Sequence, residues 1–225
     1  MASELGAAGL RVATPSQWAE GVLGDPLALL NDHAHLEKKA ALNALSLMHR
    51  WPLEVSDAGG QRLAQAWVRR LGAIARDETD HLGRVLRLLE RKGSAMSRGH
   101  RNPYAAALHR HVRAGRGPEE VIDLLHLSAL IEARSCERFA LLAAAATDRD
   151  LRGLYTALEA SERGHHGTFL ELARAMLTPG QADQRWAWWL EREAEAIVAQ
   201  AAGPTMHSGW TSSSASAVVD ASRAP

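Results

Sequence analysis

The chain has 225 residues, the size of one domain with short extensions, and its 26 basic and 26 acidic residues give a formal net charge of zero. This balance excludes a protein that binds polyanions over its whole surface, although it leaves room for a local basic patch. Apolar residues make up 46% and charged residues 23% of the chain, which is typical of a folded globular protein and not of a disordered one.

Three features of the sequence predict a cytoplasmic protein without a membrane span. Cys136 is the single cysteine, which excludes an internal disulfide and a Cys-rich metal site, and we expect a reducing compartment. The longest uninterrupted apolar run, 139–146, is far shorter than the roughly 18 residues of a membrane-spanning helix. The N-terminus has no basic segment before an apolar stretch, and we predict no signal peptide.

The composition predicts an all-α protein. Leucine occurs 31 times, whereas valine, isoleucine and threonine together occur 22 times, and there are only two tyrosines and two phenylalanines. Unbranched and small apolar residues favour helices, while strands are rich in the β-branched and aromatic residues that this chain lacks.

Turn and capping residues divide the chain into four long helices and two shorter ones. Proline at a first helical position and glycine after a last one mark most of the boundaries. The predicted helices cover 26–50, 61–92, 104–114, 118–147, 149–177 and 179–201, with the third and the last of these as the short additions.

The lengths of the connections predict how the long helices pair. Short links join the first long helix to the second and the third to the fourth, while a long crossover with its own helix joins the two pairs. This outline is that of a ferritin-like four-helix bundle. We therefore predict an N-terminal extension over 1–24, the bundle over 25–202, and a Ser-, Ala- and Gly-rich disordered tail over 203–225.

Each long helix places a glutamate in the middle of its apolar stripe, where the core should be. On the second and fourth helices a histidine follows three residues later, on the same face. The six residues are Glu37, Glu78, His81, Glu132, Glu162 and His165.

Four unpaired carboxylates in a bundle core would be costly and would repel one another. No Lys or Arg lies on the stripes near them, and metal ions are the simplest neutralising charges. Two lone glutamates with two Glu-x-x-His pairs match a two-metal site, and oxygen-rich ligands with imidazole suit iron or manganese. Chance predicts about one Glu-x-x-His match in such a chain, but there are two, both on apolar stripes. The alternative is partly exposed ion pairs on amphipathic helices.

Neighbouring residues allow simpler interpretations. We expect Glu137 to pair with Arg134 or Arg138, and Tyr155 to be a core residue with a satisfied hydroxyl. His33, one turn before Glu37, is either a partner of the site or an ordinary buried histidine.

A basic segment lies within this neutral chain. Residues 84–116 contain nine Lys or Arg and one acidic residue, Glu90, and they cover the end of the second long helix, the crossover and the short helix. Such a concentration of charge suits a compact polyanion such as a folded RNA. The alternative is an ordinary solvated surface.

Four stretches of the sequence resemble the bacterial tRNA 2-methylthio-N(6)-isopentenyladenosine hydroxylases, the MiaE family. They are 30–41, 75–82, 130–139 and 161–166, of which Ile-Glu-Ala-Arg-Ser-Cys-Glu-Arg-Phe at 131–139 is the most distinctive. The resemblance spans 26–197 and leaves out the first 25 residues and the tail after Gly203. One departure is Asp77, where the family usually has Glu, at a position that we expect to lie off the ligand face.

The resemblance implies a ferritin-like di-iron monooxygenase. Its cofactors would be two non-haem iron ions with O₂ as co-substrate, and its reaction the hydroxylation of the isopentenyl group of the modified adenosine next to the anticodon. The family's metal ligands fall on the same six residues. The implied partners are tRNA and an unidentified electron-transfer protein. Candidate phosphate contacts in the basic segment are Arg84, Arg87, Arg91, Arg98 and Arg101.

Two other functions share these features. One is a related di-iron oxygenase that acts on a small lipid-like substrate, and the other is a ferritin-like protein that handles iron or peroxide. Oxygen consumption that does not depend on tRNA would indicate the first, and rapid iron oxidation without an organic product would indicate the second.

Overall fold

The structure is a computed structural model that describes residues 9–50 and 58–211. Over these ranges the chain forms seven helices and no named strand, which confirms the all-α class. The helices are α1 Gln17–Leu23, α2 Pro26–His49, α3 Ala58–Arg91, α4 Pro103–His109, α5 Pro118–Ala145, α6 Arg149–Arg174 and α7 Pro179–Val198. None of these seven described helices contains an apolar stretch of the length that a membrane span requires.

Four long helices form two hairpins. Helix α2 packs mainly on α3, and α5 packs mainly on α6, so that the crossover with α4 joins the two pairs as predicted. Side-chain caps start two of the helices: Asp25 accepts from the Ala28 amide at 3.0 Å, and Asn102 accepts from the Ala105 amide at 3.0 Å. Both satisfy backbone donors that the first helical turn leaves free.

The N-terminal extension is folded onto the bundle over its described part. Helix α1 was not predicted because seven residues are too few to show an amphipathic period. Trp18 is buried, and the Arg138 guanidinium lies 4.2 Å from the centre of its ring. Thr14 donates to Glu137 from both its amide and its hydroxyl, at 2.9 and 2.7 Å. These contacts fix the extension on α5.

The C-terminal segment, defined here as residues 203–211, also differs from the prediction, which was a disordered tail. Its residues Met206, His207 and Ser208 are buried. The Met206 amide donates to Asp32 at 2.7 Å, and the carbonyl oxygens of Met206 and Ser208 accept from Arg138. The segment is ordered by backbone groups that pair with distant side chains, a signal that composition does not carry. Residues 212–225 lie outside the described residues.

Two apolar clusters fill the bundle. One contains Trp67, Leu125 and Trp189, and the other contains Leu30 and Phe139. Along every long helix, the predicted metal ligands fall between residues of the first cluster and residues of the second. The carboxylates therefore lie at mid-helix, with a packed apolar layer on either side.

Candidate metal centre and adjoining cavity

The six predicted ligands come together in the interior of the bundle, and all are buried. They form two overlapping groups, in each of which one donor atom per residue lies within 4.8 Å of the donor atoms of the other three. The groups are Glu37, Glu78, His81 and Glu162, and Glu78, Glu132, Glu162 and His165. Glu78 and Glu162 belong to both groups.

Helix geometry explains how the sequence builds this cluster. A step of three residues brings Glu78 and His81 onto one face of α3, and the same step brings Glu162 and His165 onto one face of α6. Helices α2 and α5 each add one glutamate at the same level. Every ligand therefore sits on a rigid helix, and none sits on a loop.

Burial and mutual repulsion set the protonation states of the carboxylates. Burial raises the pKa of Glu78 to about 9, with a further rise from the Glu162 charge. The pKa of Glu132 lies well above its usual value, for burial and for the charges of Glu162 and Glu78. Both shifts favour the protonated form of the carboxyl in the metal-free protein.

The two histidines are cationic in the same state. Burial lowers the pKa of His81, but the neighbouring carboxylates of Glu162 and Glu37 outweigh it and raise the value to about 10. In the same way Glu162 and Glu78 raise the pKa of His165 to about 11 against the effect of burial. In the metal-free protein, protons thus neutralise the negative charge of the cluster, a role that bound cations could fill equally well.

Several donor atoms lack the hydrogen bonds that buried polar atoms normally make. Glu37 Oε2, Glu78 Oε1 and His81 Nδ1 are buried without a hydrogen-bond partner among the described residues. His81 Nδ1 does lie 3.3 Å from Glu162 Oε1, and Glu78 Oε1 lies 2.7 Å from His165 Nδ1, but neither pair is in hydrogen-bonding geometry. Four carboxylates and two imidazoles that face one another in this way fit two divalent cations, and the donor set suits iron or manganese.

Two further polar residues contact the ligands from outside. His33 Nε2 lies 2.5 Å from Glu37 Oε1, which places His33 as a partner of the site. Asp77 Oδ2 lies 3.3 Å from His165 Nε2 and reaches it from the neighbouring helix. The prediction that Asp77 lies off the ligand face overlooked this contact, because the periodicity of α3 alone does not show what α6 presents to it.

Glu137 and Tyr155, the other two residues discussed as neighbours of the predicted ligands, differ in whether their polar groups are paired. Glu137 pairs with Arg134, as predicted, within a buried network that includes Glu193 and Tyr104. The hydroxyl of Tyr155, predicted to be satisfied, has no hydrogen-bond partner among the described residues. Its ring lies against His33, with centres 5.6 Å apart.

A cavity of about 260 Å³ adjoins the cluster. Glu37, Glu78, Glu132 and Glu162 line it on the side of the candidate metals, and its apolar wall consists of Leu36, Leu127, Ile131, Phe139 and Met206. Exposed residues Lys39 and His109 also line it, so it reaches the surface between α2 and α4. Sequence reasoning missed Met206 and the contribution of α4, since neither carries a recognisable motif.

The five arginines proposed for phosphate contact lie at exposed positions of α3 and the crossover. Arg84 pairs with Asp80 at 2.7 Å, and Arg91 lies 3.6 Å from Asp150. The other three, Arg87, Arg98 and Arg101, make no ion pair within the described part of the chain. They remain available to an external anion.

Fold and site together define a ferritin-like helical bundle with a buried carboxylate and histidine centre beside an apolar cavity. A solved structure with this fold, titled "Protein 43 with aldehyde deformylating oxygenase activity from Synechococcus", superposes with a TM-score of 0.79 and 32% identity over 92% of this chain and 98% of that one. The predicted ferritin-like class is confirmed.

The family is shown by sequence. The model of the family described as tRNA-(MS[2]IO[6]A)-hydroxylase (MiaE) matches residues 4–208, and the chain belongs to this family. Among curated relatives, the tRNA 2-(methylsulfanyl)-N(6)-isopentenyladenosine(37) hydroxylase of Pseudomonas putida is 38% identical over 71% of this chain and 72% of its own length. The enzyme of that name from Salmonella typhimurium is 27% identical over 89% and 87%.

These matches confirm the prediction of a tRNA-modifying hydroxylase. They also extend the predicted limits of the resemblance, which were 26 and 197, to residues 4 and 208. The added regions include α1 and most of the C-terminal segment, both of which pack on the bundle around Arg138. The family therefore includes these two extensions as well as the four long helices.

Proposed function

We propose that this chain hydroxylates the isopentenyl group of 2-methylthio-N(6)-isopentenyladenosine in tRNA, next to the anticodon, with two iron ions and O₂. The observation that carries the proposal is the buried cluster of four glutamates and two histidines, which opens directly into an apolar cavity. An oxygenase that acts on a hydrocarbon group needs both parts side by side.

The six predicted ligands would hold the two ions in two overlapping groups. Glu37, Glu78, His81 and Glu162 would hold one ion, and Glu78, Glu132, Glu162 and His165 would hold the other. When bound, the iron ions supply the activation of O₂ and the oxidation of a carbon–hydrogen bond. The overall reaction consumes O₂, two electrons and two protons, and yields the alcohol and water.

The cavity supplies the environment of the reacting group. Its apolar wall, which includes Ile131, Phe139 and Met206, matches a short branched hydrocarbon chain and excludes water around it. The four glutamates contribute to the polar lining of the same cavity. The wall therefore holds the substrate's carbon atoms against the metal side of the cavity.

The basic crossover would receive the RNA. The cavity reaches the surface beside α4, and the unpaired arginines Arg98 and Arg101 lie in the chain segment that leads into this helix. A base that leaves its stack could enter there while its backbone stays among the basic residues. An electron-transfer protein would deliver the two electrons.

The proposal is tested with iron-loaded protein, O₂, a reducing system and tRNA that carries the modified adenosine. We expect one oxygen atom from ¹⁸O₂ in the modified nucleoside, measured by mass spectrometry after digestion. Glu132→Ala should lower bound iron and abolish the product, whereas Glu191→Ala, an exposed glutamate on α7, should change neither. A full iron complement in Glu132→Ala would contradict the proposed ligands.

A second candidate is oxidation of a small lipid-like molecule. It is favoured by the 32% identical structure, whose title names aldehyde deformylating oxygenase activity. The same assay with a long-chain aldehyde in place of tRNA separates the two. Turnover of the aldehyde with none of the tRNA would favour this second function and overturn the first.

A further inference from the structure

A second cavity, of about 370 Å³, lies on the other side of α4 from the metal-side cavity. Its polar lining comes from the start and end of α4 and from the C-terminal segment with the residues before it: Arg101, Arg110, Gln200, Thr205, His207 and Ser208. Asn102 lines both cavities.

The charge in this second cavity is positive. Arg101 and Arg110 are exposed and form no ion pair with any described residue. Asp32 is the acidic residue of the lining, but both of its oxygens are already engaged. Oδ1 lies 2.6 Å from His100 Nε2, and Oδ2 accepts from the Met206 amide at 2.7 Å. The two guanidinium groups are therefore the charges left for a ligand.

His207 adds a neutral donor. Asn102 Oδ1 accepts from the Ala105 amide, which identifies the other amide atom, Nδ2, as the donor that lies 3.3 Å from His207 Nδ1. Because burial, with the nearby charges of Arg138 and Arg134, holds the pKa of His207 well below its usual value, the ring is neutral. Its single proton is then on Nε2, which is buried and has no partner among the described residues.

We propose that this second cavity binds a phosphodiester group of the RNA strand, next to the nucleotide whose base enters the metal-side cavity. Two unpaired guanidinium groups and one imidazole N–H form a donor set without a free acceptor charge, which suits a phosphate oxygen. The shared Asn102 wall suits adjacent units of one strand. This inference rests on the proposed function, since it assumes that RNA is the substrate.

Binding is measured by fluorescence anisotropy with an RNA hairpin of anticodon stem-loop sequence, over a series of NaCl concentrations. Arg101→Ala combined with Arg110→Ala should weaken binding about tenfold and reduce the slope of log K against log salt by about 0.7 for each phosphate that the variant no longer neutralises. The matched control combines Arg69→Ala with Arg174→Ala, two exposed arginines that line neither cavity. It should change the affinity less than about twofold and leave the slope as in wild type.

A third variant tests the imidazole donor. His207→Phe keeps a ring against Tyr104, whose centre is 4.7 Å away in the wild type, and removes the Nε2–H. We expect weaker RNA binding with little change in melting temperature. If the melting temperature falls, the two-arginine variant decides the matter, because both of its positions are on the surface.

The phosphate is located with hairpins in which single phosphodiesters are replaced by uncharged methylphosphonates. At one position next to the modified nucleotide, the replacement should weaken wild-type binding but have no further effect on the two-arginine variant. Equal affinities and salt slopes for the two-arginine variant and its control would overturn the proposal. So would binding of inorganic phosphate at this cavity without any effect of the variant on RNA.

The outcomes also separate this inference from the proposed function. If wild-type protein forms the hydroxylated nucleoside while the two-arginine variant binds RNA normally, the second cavity is wrong and the function stands. If the variant weakens RNA binding but wild-type protein forms no product, the phosphate site stands and the function is wrong.

Discussion

At the scale of single residues, the contact between Asp77 and His165 decides how firmly one ligand is held. Asp77 Oδ2 lies 3.3 Å from His165 Nε2, so Nδ1 is left to face the glutamates. A carboxylate behind a metal-binding histidine orients the ring and raises its basicity. The aspartate therefore leaves Nδ1 of His165 as the nitrogen that would bind a metal.

Asp77→Asn should weaken metal binding roughly 10- to 100-fold, because an amide orients the ring less strongly and carries no charge. Competition titration with a chelator measures the change. Asp77→Glu should retain most of the affinity, and Asp80→Asn, an exposed change on the same helix, should retain all of it. Unchanged affinity in Asp77→Asn would show that the contact has no such role.

His126 makes the fold sensitive to acid. Burial lowers its pKa from 6.5 to about 4, and its Nδ1 donates to the Ile122 carbonyl at 2.8 Å. The unfolded chain takes up this proton near pH 6.5, whereas the folded chain takes it up only near pH 4. The contribution of neutral His126 to the free energy of unfolding is therefore fully present above pH 6.5 and is lost as the pH falls towards 4. The shift corresponds to about 3 kcal/mol.

His126→Leu should remove that part of the pH dependence. Urea unfolding at pH 7 and at pH 4 should show a loss of stability about 3 kcal/mol smaller in the variant than in wild type. His49→Leu, at an exposed position of α2, serves as the control and should keep the wild-type difference. Equal losses in wild type and His126→Leu would contradict the assignment.

At the scale of elements, the C-terminal segment completes the site. It supplies Met206 to one cavity and His207 to the other, and its carbonyl groups satisfy the fully buried Arg138. Its docking depends on Gly209, whose amide donates to the Ala201 carbonyl at 2.8 Å. A Cβ atom at this position would lie 1.9 Å from the Gln200 carbonyl oxygen, much closer than atoms approach.

Gly209→Ala should therefore release the segment and leave the Arg138 guanidinium without its carbonyl partners. Loss of partners from a buried charge costs about 3–5 kcal/mol, which calorimetry would detect as a lower melting temperature. Gly203→Ala, in the same segment, meets no atom within 4 Å and should leave the melting temperature unchanged. Equal melting temperatures for the two variants would show that the segment adds no stability.

At the scale of the whole molecule, the residues of the proposed metal centre lower the stability of the metal-free protein. The metal-free bundle buries four carboxyls and two histidines that repel or satisfy one another incompletely. Burying a polar group without good partners costs about 1–3 kcal/mol. Metals that bind only the folded chain would offset this loss of stability by mass action.

Glu132→Leu should raise the melting temperature of the metal-free protein, by roughly 2–4 °C for each kcal/mol recovered. The same change should remove most of the rise that wild-type protein shows when iron is added anaerobically. Scanning calorimetry with and without Fe(II) tests both expectations. A lower melting temperature for metal-free Glu132→Leu than for metal-free wild type would show that the buried Glu132 carboxyl does not destabilise the metal-free protein.

Much of the site was predictable because helices translate sequence spacing directly into geometry. A polar residue inside an apolar stripe must face the core, so Glu37 and Glu132 could be selected without knowledge of the partner helices. The pairs Glu78 with His81 and Glu162 with His165 follow from the same local rule. Composition and connection lengths were sufficient for the all-α class and for the two hairpins.

The four long helices, their apolar faces and the six residues that converge could therefore be predicted from the sequence, because they depend on periods of three and four residues. The contact of Asp77 with His165, the position of Met206 and His207 in the two cavities, and the place of α4 between those cavities became visible in the folded structure. Such contacts join residues far apart in the chain and depend on how packed helices are placed in space. The local period of apolar residues along a helix does not predict that placement.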